Sequence, residues 1–390
     1  MNEGKYVFSQ VVAFLPRRVF DRLVANHDGD KWIKHFSCWN QLLCMMFGQL
    51  SGRESLRDLL TCLSAHSSKY YHLGFGHNVS RSNLARANEK RDCHIYEGLA
   101  NELIKEARSC CASNSEFILD LKGNVYAFDS TTISLCVSAF CWATFRTTEA
   151  AIKLHTLYDV RTAIPSFVLV TPASVHDVKG LDALVYEPGA YYVLDRGYLD
   201  SKRLFVIHSK KSFFVTRARH NTRFTVIASE HPNRALGIRS DQRVRFSSFY
   251  PRQGYPEILR RIHFYDRKEK RSFVFLTNNF DLSAQDIALL YKYRWSVELF
   301  FKWIKQHLKI ESFWGTSENA VKTQVYIALA TYALVAIIKT KLKTERSTYE
   351  TLQIIGVSLL DKTDIRTLLN SHKSSSDNMK SQFSLDFERY

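Results

Sequence analysis

Apolar positions along the chain change their spacing more than once, and each change marks a stretch of different structure. Up to about residue 115 the spacing is helical. "NQLLCMMFGQL" predicts an apolar helix, and "SGRESLRDLLTCLSAH" a second one opened by Ser51 and Gly52. "SRSNLARANEKRD" (Ser80–Asp92) follows the glycine-rich turn "LGFGHN" and predicts a capped basic helix. From Lys122 the period shortens. "NVYAFD", "AAIKLHTLYDV", "IPSFVLVTPA", "YYVLD" and "SFFVTRA" predict strands, with short helices at "DVKGLDALV" and "DSKRLFVIHSKK" between them. That succession predicts a mixed α/β sheet. Residues 220–282 turn β-rich and polar, with strands expected at "RFTVIASEH", "QRVRFSSF", "ILRRIHFYD" and "RSFVFLTN". "YKYRWSVELFFKWIKQHLK" (Tyr291–Lys309) lacks Gly and Pro and predicts one long helix. "VYIALATYALVAII" covers 14 residues, short of the ~20 a membrane span needs, and predicts a buried core helix. The last stretch, "NSHKSSSDNMKSQFSLDFERY", is polar and Ser-rich and predicts a flexible tail.

Charge narrows the field. The 390 residues suggest two or three domains, and 45% hydrophobic with 24% charged residues is ordinary for a globular protein. A net charge of +16 is not ordinary and points to a polyanion, nucleic acid first and an anionic membrane second. The 26 Phe, 19 Tyr and 6 Trp beside those cations favour nucleic acid, because bases stack on aromatic faces. The basic segment Ser80–Asp92 then reads as the recognition half of a helix-turn-helix, with Arg81, Arg86 and Lys90 as candidate DNA contacts. The N-terminal stretch has no signal-peptide pattern, and no membrane partner is expected. The eight cysteines form no CxxC pair and are expected as buried thiols in a reducing cytoplasm. No GxxxxGK[ST] loop is present, so no ATP motor is expected.

Candidate chemistry collects at three acids. "VYAFDST" ends in Asp129 and "YYVLDRGY" in Asp195, so each carboxylate is expected at the C-terminal tip of a strand, the edge where α/β sheets hold ligands. The third, Glu298, is the single acid of Tyr291–Lys309, which carries six basic residues and six aromatics. On an ideal helix, Tyr291, Arg294, Glu298, Lys302, Lys305 and Lys309 fall within an arc of about 80°. Such a face can be merely solvated, with i,i+4 pairs. It also suits a surface that grips phosphates around a working carboxylate. Three converging carboxylates suit a pair of magnesium ions, with manganese able to replace them. A lone Asp at a strand end more often caps a turn. His155 and His176 are expected as structural, and Asp177 as a helix cap.

These residues carry a resemblance. Tyr291, Arg294, Glu298 and Lys305 match the Tyr-x2-Arg-x3-Glu-x6-Lys signature of bacterial insertion-sequence transposases of the DDE class, in the IS-Four family. Asp129-Ser130-Thr131 and Asp195-Arg196-Gly197-Tyr198 resemble the contexts of that family's first and second acids, and the β-rich stretch before Glu298 resembles its insertion. The resemblance covers about 120–345 specifically and the leading residues more loosely. It implies an RNase H-like core on which Asp129, Asp195 and Glu298 hold the metals. Tyr291, Arg294 and Lys305 would hold the terminal phosphates. It implies cut-and-paste transposition on double-stranded DNA with terminal inverted repeats, a target DNA, a homodimer in the synaptic complex, and a bacterial cytoplasmic, nucleoid-associated location. Family members often stack a flipped base on a Trp of the insertion. Residues 220–282 hold no Trp, and Phe246, Phe249, Tyr250 or Phe264 offer faces instead.

The expected organisation is therefore an all-helical DNA-binding region over 1–115, an RNase H-like α/β core over 116–219 and 283–345, a β-rich insertion over 220–282, and a C-terminal helix and flexible tail over 346–390. Two other functions compete. A nuclease that cuts without strand transfer would seldom need the N-terminal region. An inactive DNA-binding derivative would have lost an acid, and none is lost.

Overall fold

Serine side chains start most of the longer helices. Ser37, Ser55, Ser80, Ser283, Ser317 and Ser347 each accept the backbone N–H three residues on, and Asp200 does the same. Each such cap is worth about 1 kcal/mol. The computed structural model describes residues 4–76, 79–111 and 117–370. The chain begins with α1 (Val7–Val12), α2 (Arg17–Asn26), α3 (Cys38–Leu50), α4 (Leu56–Ala65), α5 (Tyr70–Leu73), α6 (Arg81–Lys90) and α7 (His94–Cys111). Next come β1 (Val125–Leu135), β2 (Thr144–Arg146), β3 (Glu149–Asp159), β4 (Ile164–Pro172), β5 (Tyr191–Leu194), α8 (Ser201–Ser209) and β6 (Phe213–Arg217). Then follow β7 (Phe224–Glu230), β8 (Ile238–Phe246), α9 (Phe249–Gly254), β9 (Leu259–Asp266) and β10 (Arg271–Thr277). The remaining helices are α10 (Ala284–Lys292), α11 (Trp295–His307), α12 (Glu318–Lys341), α13 (Thr348–Ser358) and α14 (Ile365–Asn370).

The chain is therefore mixed α/β with a helical N-terminal region. Two expected boundaries move. Helix α4 is opened by Ser55, not by Ser51 and Gly52. Ser51 instead closes α3, its hydroxyl donating back to the Phe47 carbonyl, and Gly52 takes φ +67° in the turn that follows. The segment "DVKGLDALV" forms only 3-10 turns, over Asp177–Ala183. The expected tail from residue 371 lies outside the described residues.

The chain divides into two compact units. The first draws on Met1–Ile118, Phe128–Gly180 and Trp295–Leu369. Its centre is α12, with 94% of its most apolar window buried, so it is the core helix expected and its apolar face is covered by protein. Helices α3, α6, α7 and α13 pack on it. The N-terminal helices and the C-terminal ones thus share one core. Strand β3 pairs antiparallel with β4 from Ile152↔Pro172 to Asp159↔Ile164, with a shift between Leu157 and Tyr158. It also pairs with β2 and neighbours β1. Helix α11 lies on β3, with Tyr158 against Phe300 at 5.3 Å between ring centroids, and Phe300 against Tyr332 of α12 at 5.4 Å.

The second unit is built from Leu119–Ala127 and Leu181–Arg294, so the boundary falls inside β1. Its large sheet runs from the start of β1 through β5, β6, β10, β9, β8 and β7. Strands β5 and β6 are parallel, in register Tyr191↔Phe213. From β6 outward, β10, β9, β8 and β7 pair antiparallel, beginning with Phe275↔Arg217 between β10 and β6. All four strands expected over 220–282 form, and α9, which periodicity did not flag, sits between β8 and β9. Asn278 fixes the end of β10: its side chain accepts from Phe214 N–H at 2.9 Å and donates to the Ser212 carbonyl at 2.8 Å.

In the first unit Arg108 of α7 reaches the nearly buried Asp159 at the end of β3, Nη2 to Oδ2 at 2.8 Å. Removing one partner of such a pair strands the other charge, at a cost of about 3 kcal/mol. Arg108→Ala should lower unfolding stability by about that amount in urea titration. A change below about 0.5 kcal/mol would show the pair to be ornamental.

Candidate active site

The helix expected from Tyr291 to Lys309 is broken. Helix α10 ends at Lys292 and α11 begins at Trp295. Between them the N–H groups of Tyr293 and Arg294 bond three residues back, to Leu290 and Tyr291, and so close turns that interrupt the helix. A single helical wheel therefore does not relate Tyr291 and Arg294 to Glu298. The correction extends to the far end: Lys309 lies past α11, its N–H donating to Gln49 Oε1 and its ammonium paired with Glu54. What survives of the face is Glu298, Lys302 and Lys305, all on α11. Val297, Phe300 and Ile304 of α11 and Leu308 just past its end are buried, while Tyr293 is half-buried.

In the first unit, Asp129 lies within β1, not at its tip. The β-branched run Thr131–Thr132–Ile133 carries the strand on to Leu135. Asp129 is half-buried, and its Oδ1 accepts the N–H of Ser130 at 2.8 Å. The Ser130 hydroxyl donates to Asp177 Oδ1 at 2.8 Å, and Lys153 Nζ lies 2.9 Å from the same oxygen. Burial works to raise Asp177, but the Lys153 and Ser130 hydrogen bonds outweigh it and hold the carboxyl below its usual range. The sequence singled out Asp177 only as a cap, and no local signal names Lys153 as its partner 24 residues earlier. Glu298 stands half-buried in the first turn of α11. Lys305 donates to the Thr132 carbonyl of β1 at 2.8 Å. Lys302 is exposed. Arg81, Arg86 and Lys90 are all exposed on α6.

In the second unit, Asp195 follows the last residue of β5, as expected. It caps a 3-10 turn over Arg196–Tyr198, its Oδ2 accepting from Gly197 N–H. Thr216 of β6 donates to its backbone carbonyl at 3.2 Å, and Arg219 donates to the carbonyls of Arg196 and Gly197. The Tyr291 hydroxyl donates to Asp195 Oδ1 at 3.2 Å. Burial pushes that hydroxyl up to about 12, so it remains a donor at any working pH. Its ring packs on Phe275 at 5.0 Å, and the Arg294 guanidinium stands 5.8 Å from its centroid. Of the aromatics offered for stacking in the insertion, Phe246 is buried against Phe224, Phe264 is half-buried, and Phe249 and Tyr250 are 73% and 79% exposed.

Residues 120–334 match the family described as Transposase DDE domain, more than half of the chain. The chain belongs to that family. Residues 3–76 match a domain of unknown function. Similar proteins include "Putative transposase y4zB" of Sinorhizobium fredii, 36% identical over 65% of this chain and 70% of that protein. "Probable transposase for insertion sequence element IS5377" of Geobacillus stearothermophilus is 28% identical over 53% of this chain and 54% of its own length. "Putative transposase for insertion sequence element IS4SA" of a Synechocystis strain is 24% identical over 67% and 73%. The chain is thus an insertion-sequence DDE transposase, an enzyme that acts on DNA and takes a divalent metal. The half-buried Asp195 carboxylate fits a metal of that kind: each of its oxygens accepts one donor, Tyr291 or Gly197, and a carboxylate has about four acceptor positions.

His155, on β3 near the Lys153–Asp177 pair, is fully buried with Nε2 3.0 Å from Thr171 Oγ1. Burial pushes its pKa down to about 4, Asp177 opposing and Lys153 assisting. The unfolded chain takes up the proton near 6.5 and the folded one only near 4. This stability is therefore full above pH 6.5 and is lost as pH falls toward 4, by roughly 2–3 kcal/mol. Urea titrations from pH 7 to 4 should show that slope flattened in His155→Gln; an equally steep fall in the variant would place its origin elsewhere.

Proposed function

We propose that Asp129, Asp195 and Glu298 together hold two magnesium ions, which manganese can replace, and that this centre cuts DNA at the transposon's terminal inverted repeats and joins the ends to target DNA. The observation that carries this proposal is the 3.2 Å hydrogen bond from Tyr291 to Asp195, residues 96 positions apart. It joins the first residue of the spaced signature to the second acid, and so supports membership of the IS-Four group. A second contact supports a shared locus for the other two acids. Lys305 is seven residues past Glu298, about 10.5 Å along a helix. Thr132 is three residues past Asp129, about 10 Å along a strand. The contact ties α11, which carries Glu298, to β1, which carries Asp129. The order β4-β3-β1 in one unit, and β1-β5-β6 with parallel β5 and β6 in the other, supports an RNase H-like core.

The bound ions would activate the attacking water or 3′-hydroxyl and stabilise the leaving oxygen. The chain's own residues prepare that chemistry. Tyr291 and the Gly197 N–H fix the Asp195 carboxylate, and the Ser130 N–H fixes Asp129, so neither has to reorganise as charge develops. Arg294 and Lys302 place positive charge where scissile phosphates pass, and Lys305 and Lys309 extend it while also tying α11 to Thr132 and Glu54. Exposed Arg81, Arg86 and Lys90 of α6 grip duplex phosphates. The working species is a homodimer on paired ends in the bacterial cytoplasm, associated with the nucleoid. By role, the proposed division is a helical DNA-binding region over 1–115, an RNase H-like core over 116–219 and 283–345, a β insertion over 220–282 and a C-terminal helix and tail beyond.

Asp129→Asn, Asp195→Asn and Glu298→Gln should each abolish magnesium-dependent nicking of an end duplex while leaving gel-shift binding intact. A variant that still nicks removes its residue from the metal set. Tyr291→Phe, which keeps the packing on Phe275, should slow nicking about ten- to a hundredfold, the worth of a hydrogen bond to a charged group.

For α6, the triple change Arg81→Ala, Arg86→Ala and Lys90→Ala should flatten the log–log dependence of end binding on salt by roughly 2–3, about 0.9 for each phosphate no longer neutralised. An unchanged slope would take α6 off the DNA.

A further inference from the structure

Where α2 ends and α7 begins, side chains from both ends converge on one carboxylate. Asp92 precedes α7, and its Oδ1 accepts the His94 N–H at 2.9 Å. The same oxygen lies 2.5 Å from His94 Nδ1. The other oxygen lies 2.9 Å from Nδ1 of His27, the residue that closes α2. The two imidazoles are nearly parallel, 12° between planes and 6.0 Å between centroids. Cys93 is buried beside them, its N–H held by Asn319 Oδ1 at 3.0 Å. Among the described residues, Asp92, Cys93 and His94 are the trio of such residues whose ligating atoms all lie within 4.8 Å of one another.

Helix capping accounts for the bond from the His94 N–H to Asp92 and for nothing else in the cluster. The outer contacts add a second, independent feature. His94 Nε2 faces Glu97 Oε2 at 3.8 Å, and Glu97 Oε1 accepts the Tyr326 hydroxyl at 3.0 Å. In the metal-free protein the 2.5 Å contact holds a proton between Nδ1 and Asp92; a cation that takes its place meets a nitrogen and a carboxylate already turned toward each other, with Glu97 on the Nε2 side. Metal-binding histidines commonly have that carboxylate behind them.

We propose that Asp92, Cys93 and His94 form a binding site for a zinc-class divalent cation, with His27 holding the far carboxylate oxygen and Glu97 facing the Nε2 that carries the His94 proton once the ion is bound. A thiolate, an imidazole and a carboxylate suit zinc, whereas magnesium selects oxygen alone. The His94 side chain is 63% exposed, which leaves an entry path and room for water as a fourth ligand. Before the ion arrives the Cys93 thiol holds its proton: burial pushes it up to about 11, with Lys322 opposing and Asp92 and Glu97 assisting. Binding forms the metal–sulfur bond and releases that proton to solvent. The ion would fasten the end of α2 to the start of α7, and none of its ligands belongs to the triad proposed for DNA cleavage.

The experiment is a cobalt titration of the metal-stripped full chain, with magnesium present throughout, followed by displacement with zinc. One equivalent of cobalt should produce thiolate-to-metal charge-transfer absorption that zinc removes, and Cys93→Ser should abolish the band. Glu97→Gln keeps all three ligands and should weaken zinc binding about 10- to 100-fold. His94→Gln, at an exposed position that folding tolerates, should weaken it at least as much. A wild-type chain with no such band, a band that persists in Cys93→Ser, or unchanged affinity in His94→Gln would each overturn the proposal.

Discussion

Helix α12 sets the terms for the first unit. Its 24 residues are apolar on nearly every side, with 94% of the central window buried. A helix of that kind has no face to give to water, so it has to be enclosed by other elements. Helices α3, α6 and α7, from the first third of the chain, and α13, from the last, supply the enclosure. The same helix α7 rests on β4, and its Arg108 holds Asp159 at the end of β3. Helix α6, which carries the exposed Arg81 and Arg86, is therefore built into the same core as the strand that carries Asp129. A fully buried aliphatic side chain contributes about 1.5–3 kcal/mol, and α12 provides many, so the enclosure is not easily undone.

Local chemistry was readable in the residues, and distant pairing was not. The strand positions, the capped helices and the buried character of α12 follow from periodicity and from Ser caps, which act within one turn. The break at Tyr293–Arg294 does not, because neither Gly nor Pro marks it and helix propensity alone would carry the helix through. Asp129 is expected at a strand tip because a mostly apolar run ends there, but the β-branched residues after it favour extension more than one carboxylate opposes it. The ties from Asp177 to Lys153, and from Lys309 to Glu54, join residues 24 and 255 positions apart, and nothing near either partner announces the other.

One acid among many cations is usually explained by solvation. Here the second unit shows a different arrangement of charge. Asp195 is met by neutral donors, the Tyr291 hydroxyl and the Gly197 N–H, and the guanidinium of Arg294 lies over the Tyr291 ring. The carboxylate is thus oriented by groups that carry no formal charge, and its capacity to attract a cation is preserved. Arg219 directs its guanidinium to the carbonyls of Arg196 and Gly197, which stiffens the turn from the backbone side.

The β-rich stretch extends the same sheet and comes back to β6 at one place. Strand β6 ends at Arg217, and β10 comes back beside it with Phe275 opposite that residue. Entrance and exit are therefore neighbours, joined by backbone hydrogen bonds that do not depend on what lies between. Strands β7 to β9 and helix α9 could lengthen or shorten, and β6, which follows Asp195, would still be paired with β10, which precedes α10. Such a collar lets the segment vary in size and surface without disturbing the turn that carries Asp195.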